Sequence, residues 1–146
     1  MGKATAQGTI ERPADEVWAI IGDFADQSWN PTLASMTCQG DIRTAVMHGV
    51  AGEFDEKLFH RDEAQRTYTY GVVAVRGTSF DMSYLIGGHR STITVTPTGP
   101  ASCRVSFDLE MPDGQEESLR RTSGGYQQRI DELKARLEGA AAVGPA

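Results

Sequence analysis

The sequence predicts an α+β domain in which an antiparallel sheet packs its apolar face against a long C-terminal helix. Two observations support this prediction. Across residues 33–111, apolar and polar side chains alternate with a period of two, and turn residues recur at short intervals. Across residues 115–138, apolar side chains recur instead at helical spacing. Consecutive strands joined by short turns form an antiparallel meander, so the last helix has one sheet to pack against.

The N-terminal elements precede this meander. Residues 4–11 alternate as a strand does. Pro13 suits the first position of a helix, and Asp15 and Glu16 would lie in its first turn, where negative charge favours the positive end of the helix dipole. Residues 23–31 are predicted to form a second short helix or a turn, which ends at a proline. We therefore expect two short helices after the first strand.

The meander itself is predicted to contain six strands. Gly, Asp and Pro residues separate them, as is typical of hairpin turns. Val105, Phe107 and Leu109 alternate with polar residues, which indicates a sheet with one apolar and one polar face. The predicted strands are residues 33–39, 41–47, 53–61, 65–73, 82–97 (with an optional break at Gly87-Gly88) and 102–111.

The predicted final helix carries Leu119, Tyr126 and Ile130 on one face. Gly124 and Gly125 lie in its middle, where each costs about 1 kcal/mol relative to alanine. Two explanations stay open for this pair: close packing or a kink, or space left for a ligand. Residues 140–146 are small and apolar, and we expect a flexible tail there. A single domain would then span residues 1–139.

Composition excludes several functions. The net charge is −6 and the basic residues are scattered, which argues against binding of nucleic acid. No apolar run approaches the roughly 18 residues needed for a membrane span, and no apolar signal stretch follows Met1, so we expect a cytoplasmic protein without stable membrane insertion. Cys38 and Cys103 lack metal-type spacing, and we expect free thiols, no metal and no cofactor.

Five parts of the sequence carry a resemblance to a known superfamily: residues 10–18 (IERPADEVW), 22–24 (GDF) with 29–31 (WNP), 40–43 (GDIR), 56–58 (EKL) and 68–70 (YTY). They resemble the SRPBCC superfamily, which includes START domains, polyketide cyclases/dehydratases and birch-pollen-allergen-like proteins. The resemblance covers about residues 4–138 and is greatest to the bacterial polyketide cyclase/dehydratase-type branch. It implies the helix-grip fold, in which a seven-stranded sheet grips the last helix and a pocket lies between them.

Strand alternation predicts which side chains enter that pocket. Arg43, Glu56, Tyr68 and Tyr70 would face inward, on three neighbouring strands. Arg43 as electrophilic partner and Glu56 as base would suit aldol cyclisation or dehydration, and both match the family's recurring Arg and Glu. The alternative is that this pair satisfies itself or lies on the solvent face. We predict Arg43 and Glu56 as catalytic residues and the two tyrosines as ligand contacts.

Other aromatic residues are further candidates for ligand binding. Trp29 would lie at the cavity mouth of the family fold, either as a gate or as a core anchor. Tyr84 would border the opening, and Tyr126 would face the sheet from the last helix. Among the histidines, His60 adjoins a turn and His89 follows a glycine pair, so both are expected in solvent.

The predicted function is the binding of an apolar or aromatic small molecule, such as a polyketide, a lipid or an aromatic metabolite. Cyclase or dehydratase activity stays open, because the superfamily places carriers, sensors, resistance proteins and enzymes on one scaffold. The alternatives are a non-catalytic carrier, sensor or sequestration protein, and a protein-partner module without a small-molecule ligand. A sheet edge would allow a homodimer as well as a monomer.

Overall fold

The computed structural model describes residues 1–143, which form a seven-stranded antiparallel sheet and two α-helices. The strands lie in the order β1-β7-β6-β5-β4-β3-β2 across the sheet. This is the predicted α+β helix-grip architecture. The elements are β1 (Gly2–Ile10), α1 (Ala14–Ile21), β2 (Leu33–Gln39), β3 (Ile42–Met47), β4 (Glu53–Asp62), β5 (Thr67–Arg76), β6 (Arg90–Gly99), β7 (Ser102–Met111) and α2 (Glu116–Val143).

The strand order follows from the chain connections. Strands β2 to β7 pair consecutively, and β1 returns to pair with β7 from Gly2↔Met111 to Ile10↔Cys103. The alternation of β7 confirms the two-faced sheet, because Val105, Phe107 and Leu109 are buried and the residues between them are not. The apolar face therefore turns toward α2 and α1.

The second predicted short helix is absent from residues 1–143. The segment after α1 is held instead by side chains that bond to nearby backbone. Asp23 Oδ1 accepts hydrogen bonds from the N–H groups of Ala25 and Asp26 at 3.1 and 3.2 Å, and Asp26 Oδ1 accepts one from Ser28 N–H at 3.0 Å. Such Asx turns compete with helical backbone hydrogen bonds, which is why the segment does not coil into a helix.

The long strand predicted from residue 82 is wrong in its first part. Ser83–Leu85 form a single 3₁₀ turn, and β6 begins only at Arg90. Gly87, with φ of 75°, ends the turn in a conformation that favours glycine. The optional break at Gly87-Gly88 is thus confirmed, and the loop before it lies over the cavity described below.

Helix α2 packs its apolar face against β1. Leu119, Tyr126, Ile130 and Leu133 are buried along it. An added Cβ at Gly8 of β1 would lie 2.9 Å from Ile130 Cγ2, so glycine permits this close approach. The helix extends to Val143 and so includes the first residues of the predicted tail, while residues 144–146 lie outside the described part of the chain.

Two further properties concern the whole described chain. Cys38 and Cys103 are both free thiols. No helix within residues 1–143 is long and apolar enough to cross a membrane.

Candidate functional site

A cavity of about 670 Å³ lies between the concave face of the sheet and the N-terminal half of α2. This volume is typical of small-molecule sites, which usually have apolar walls and a few fixed polar groups. The cavity has that character. Its apolar lining includes Phe54, Val72, Met82, Leu85, Ile93, Phe107 and Met111.

Arg43 and Glu56 form a buried ion pair in the cavity wall. They are cross-strand neighbours on β3 and β4, and Arg43 Nε donates to Glu56 Oε1 at 2.8 Å. A second guanidinium N–H donates to the carbonyl of Phe24 at 3.1 Å, and the guanidinium lies 4.6 Å from the centroid of the Tyr70 ring. Burial opposes the charge of Arg43, but Glu56 outweighs it and raises the pKa of the guanidinium. Arg43 therefore keeps its charge, and the buried pair does not lie on the solvent face.

A chain of hydrogen bonds joins three elements beside this pair. Tyr70 Oη on β5 lies 2.8 Å from Tyr126 Oη on α2. Tyr126 Oη lies 2.7 Å from Ser91 Oγ on β6, and Ser91 Oγ lies 2.9 Å from His89 Nε2. Burial raises the pKa of Tyr70 well above its usual value, so its hydroxyl stays protonated. The chain thus presents neutral donors and acceptors at the cavity wall.

His89 is buried, with 4% of its surface exposed, and the expectation that it lies in solvent is wrong. It directly precedes β6, and its ring packs against Tyr70 with centroids 5.6 Å apart. Burial lowers the pKa of His89 to about 4, which leaves the imidazole neutral at pH 7. Its Nδ1 has no hydrogen-bond partner among the described residues. By contrast, His60 is exposed as expected.

Of the five predicted ligand contacts, four line the cavity: Trp29, Tyr70, Tyr84 and Tyr126. Tyr84 Oη lies 2.9 Å from Ser118 Oγ, which links the 3₁₀ turn to α2. Tyr68 is not among the lining residues. It is fully buried in the core, where its ring lies about 6 Å from those of Trp18 and Phe24. The alternation was read correctly for Tyr68, but α1 and the segment after it cover that end of the face.

Arg129 is a lining residue that the sequence analysis missed. Its Nε is buried without a hydrogen-bond partner within residues 1–143, and the same holds for Trp29 Nε1. The guanidinium lies 5.0 Å from the centroid of the Tyr126 ring. The helical spacing of Arg129 from Tyr126 was the available signal, because positions three apart share a helix face.

The glycine pair of α2 adjoins open space. An added Cβ at Gly124 or Gly125 would meet no described atom within 4 Å, so close packing does not explain these glycines. Gly125 lines the cavity, whereas Gly124 is exposed. The missing side chain at Gly125 enlarges the space beneath the helix.

Comparisons with solved structures agree with this architecture. The protein XoxI from Bacillus cereus superposes with a TM-score of 0.77 at 21% identity, covering 94% of this chain and 99% of that one. A START superfamily protein from Mycobacterium smegmatis gives a TM-score of 0.63 at 14% identity, with 90% and 98% covered. Norcoclaurine synthase from Thalictrum flavum, in complex with dopamine and hydroxybenzaldehyde, gives 0.60 at 18% identity, with 90% and 85% covered.

These similarities concern the fold, and family membership comes from the sequence. No protein of curated function matches the chain. A family model described as "Polyketide cyclase / dehydrase and lipid transport" matches residues 1–138, nearly the full length. The chain therefore belongs to the polyketide cyclase/dehydrase and lipid transport family.

Proposed function

We propose that the protein binds an amphipathic small molecule with an apolar or aromatic body, such as a polyketide, a lipid or an aromatic metabolite. The observation that carries this proposal is the cavity of about 670 Å³, whose apolar walls surround a small set of polar groups. An apolar body would replace water against Phe107 and Ile93, while a carbonyl or hydroxyl group would meet the polar wall of Tyr70, Tyr126 and His89.

The structural relatives support the aromatic end of this range. Norcoclaurine synthase, which shares the fold, is described in complex with dopamine and hydroxybenzaldehyde. Both are aromatic rings that carry polar substituents. A ligand of that character would suit a cavity in which aromatic side chains and hydroxyl groups lie side by side.

Binding is tested by native mass spectrometry of gently purified protein, followed by a thermal-shift screen of aromatic polyketides and lipids. A ligand that binds only the folded state raises the melting temperature as its concentration rises. Co-purified mass or such stabilisation is the expected result. If neither occurs across a broad panel, the proposal fails and a protein partner becomes the better candidate.

A pair of glycine variants locates the bound ligand. Gly125→Leu would place a side chain in the cavity, whereas Gly124→Leu would place the same side chain on the exposed side of the same helical turn. We expect Gly125→Leu to weaken binding by about tenfold or more, because a filled site excludes the ligand body. Equal effects of the two variants would show that the ligand binds elsewhere.

A second candidate function is catalysis of aldol cyclisation or dehydration. The buried Arg43–Glu56 pair at the cavity wall favours it. In the proposed cyclisation, Glu56 takes a proton from the carbon beside a carbonyl, and the electron pair left behind delocalises onto that carbonyl oxygen. Arg43 or Tyr126 stabilises the resulting enolate, which then attacks a second carbonyl to form the ring. The proton on Glu56 returns to the new alkoxide.

Glu56→Gln separates this enzyme from a carrier. The amide keeps the shape and a hydrogen bond to Arg43 but cannot act as a base. For any ligand found by the binding screen, an enzyme should lose turnover by about a hundredfold or more while it retains affinity. Unchanged turnover would exclude Glu56 as the base. A ligand that is bound but never converted would identify a carrier, sensor or sequestration protein.

A further inference from the structure

The charges that line the cavity differ in sign from the chain as a whole. The protein carries a net charge of −6, yet the described lining contains Arg43, Arg121 and Arg129 against the single carboxylate of Glu56. Glu56 neutralises Arg43, and Glu117 pairs at 2.9 Å with Arg121, whose side chain is 76% exposed at the cavity's margin. None of the ion pairs within residues 1–143 includes Arg129, so its charge is the one left uncompensated at the cavity.

Two buried donors at this wall have no acceptor in the described chain. They are Arg129 Nε and Trp29 Nε1. Trp29 is only 7% exposed, so water cannot readily replace a missing partner there. Buried N–H groups without acceptors are rare because each loses its bonds to water, and two of them beside one cavity indicate an acceptor that the ligand supplies.

A run of contacts along the cavity wall joins the two donor side chains. Trp29 packs against Phe107 with ring centroids 6.3 Å apart, Phe107 packs against Tyr126 at 5.0 Å, and the Arg129 guanidinium lies 5.0 Å from the Tyr126 centroid. Arg136 donates a hydrogen bond to the carbonyl oxygen of Trp29 at 3.3 Å, which ties the Trp29 segment to α2. Arg129 and Arg136 are seven residues apart, about two helical turns, and so project from the same side of α2.

We infer that the natural ligand is an anionic amphiphile, whose carboxylate-type group is held by Arg129 Nε and Trp29 Nε1 while its apolar body lies along Phe107. This inference rests on the proposed function and specifies the class of ligand. Arginine is suited to this task because its guanidinium is always charged and its donors match the oxygens of a carboxylate. Stacking on Tyr126 holds the guanidinium in place before the ligand arrives.

The inference is tested with two fluorescent probes that share one polycyclic body. 1-Pyrenebutyrate is an anion, and 1-pyrenebutanol is its neutral counterpart. Dissociation constants are measured at pH 7.5 by fluorescence titration and calorimetry for the wild type, Arg129→Gln, Arg129→Lys, Trp29→Phe and Arg121→Gln. Circular dichroism and thermal melts establish that each variant is folded.

The wild type should bind the anion about tenfold more tightly than the alcohol, as expected for hydrogen bonds to a charged group. Arg129→Gln should abolish this preference and leave affinity for the alcohol unchanged, whereas Arg129→Lys should retain part of it. Trp29→Phe should weaken binding of the anion severalfold. Arg121→Gln removes the same charge from an exposed pair and should change affinity for the anion by no more than about twofold.

Three results would overturn the inference. They are equal affinities of the wild type for the two probes, an Arg129→Gln variant that keeps the preference for the anion, and equal effects of Arg129→Gln and Arg121→Gln. In each of these cases the alcohol still binds, so the proposed function stands. If neither probe binds the wild type, the anion inference fails, and the broad ligand panel decides whether the proposed function fails as well.

Discussion

The two sides of α2 differ in how closely they are packed. On one side, Ile130 and Leu133 pack closely against β1, where Gly8 leaves no space for a side chain. On the other side, Gly125 and Arg129 face an open cavity, and an added Cβ at Gly125 would meet nothing within 4 Å in the described structure. One helix therefore both closes the core and forms a wall of the candidate site.

Polar side chains reinforce the packed side. Gln127 exchanges two hydrogen bonds with the backbone of Gln7, at 2.9 and 3.1 Å, and Lys134 Nζ donates to the carbonyl of Thr9 at 2.7 Å. These bonds satisfy backbone groups along the outer edge of β1, the first strand of the sheet order. The packed side is thus held to β1 by close contacts and hydrogen bonds, whereas Gly125 on the other side of the helix adjoins open space.

The largest expected effect concerns the cavity wall formed by β3 and β4, which carry Arg43 and Glu56. Arg43→Met should lower the free energy of unfolding by about 4 kcal/mol, because it leaves the buried carboxyl group of Glu56 without its partner. The double variant Arg43→Met/Glu56→Leu should recover much of this loss. Urea denaturation of Arg43→Met, Glu56→Leu and the double variant measures the coupling energy between the two residues. A double variant that is less stable than Arg43→Met would show that the unpaired carboxyl group of Glu56 is not the cause of the loss.

On the packed side, Ile130→Ala should lower the free energy of unfolding by about 3 kcal/mol, because it opens a void in a fully buried position. Thr122→Ala, on the cavity wall of the same helix, is the matched comparison and should cost less than about 0.5 kcal/mol. Denaturation curves of both variants measure the difference. Similar losses would mean that the two sides of α2 do not differ in packing.

Acid should lower the free energy of unfolding through His89, which lines the cavity. Its pKa is about 4 in the folded protein and 6.5 when unperturbed, so the unfolded chain takes up the proton first as the pH falls. The contribution is complete above pH 6.5 and is lost progressively toward pH 4, where about 3 kcal/mol is gone. Glu56, Arg43 and Arg90 are the charged neighbours that adjust this value.

The control for this prediction is His89→Gln, which cannot titrate. The wild type should lose about 3 kcal/mol more than this variant between pH 7 and pH 4, by urea denaturation at each pH. Identical pH profiles would show that His89 is not buried in neutral form.

The smallest expected effect concerns the glycine pair. Gly124→Ala and Gly125→Ala should each raise the free energy of unfolding by about 1 kcal/mol, because alanine favours the helix and the added methyl has space at both positions. Thermal or urea denaturation measures this. Destabilisation at Gly125 would indicate that the cavity wall is closer to α2 than the structure places it.

Much of the fold was predictable because it depends on local patterns. The alternation of Val105, Phe107 and Leu109 specifies which face of β7 is buried, whatever its neighbours are. The prediction failed after α1, where the side chains of Asp23 and Asp26 accept hydrogen bonds from backbone N–H groups. The sequence of a short segment does not reveal whether a side chain or a backbone carbonyl will accept such a bond.

The site was predictable only in part. Alternation brought Arg43, Glu56 and Tyr70 to one wall, since cross-strand neighbours follow from consecutive hairpins. His89 was wrongly expected in solvent and Arg129 was missed, because their positions depend on contacts far along the chain. Tyr126 approaches Ser91 across 35 positions of sequence, and no local period specifies such a meeting.

The sequence by itself determined a two-faced antiparallel sheet, an amphipathic final helix and an inward-facing Arg43, because residue periodicity and turn chemistry act over a few neighbouring positions. Only the tertiary structure decided the volume of the cavity, the neutral state of His89 and the unpaired donors of Arg129 and Trp29. These properties depend on the position at which α2 packs on the sheet. That position is set by close packing between residues far apart in the chain, such as Gly8 and Ile130.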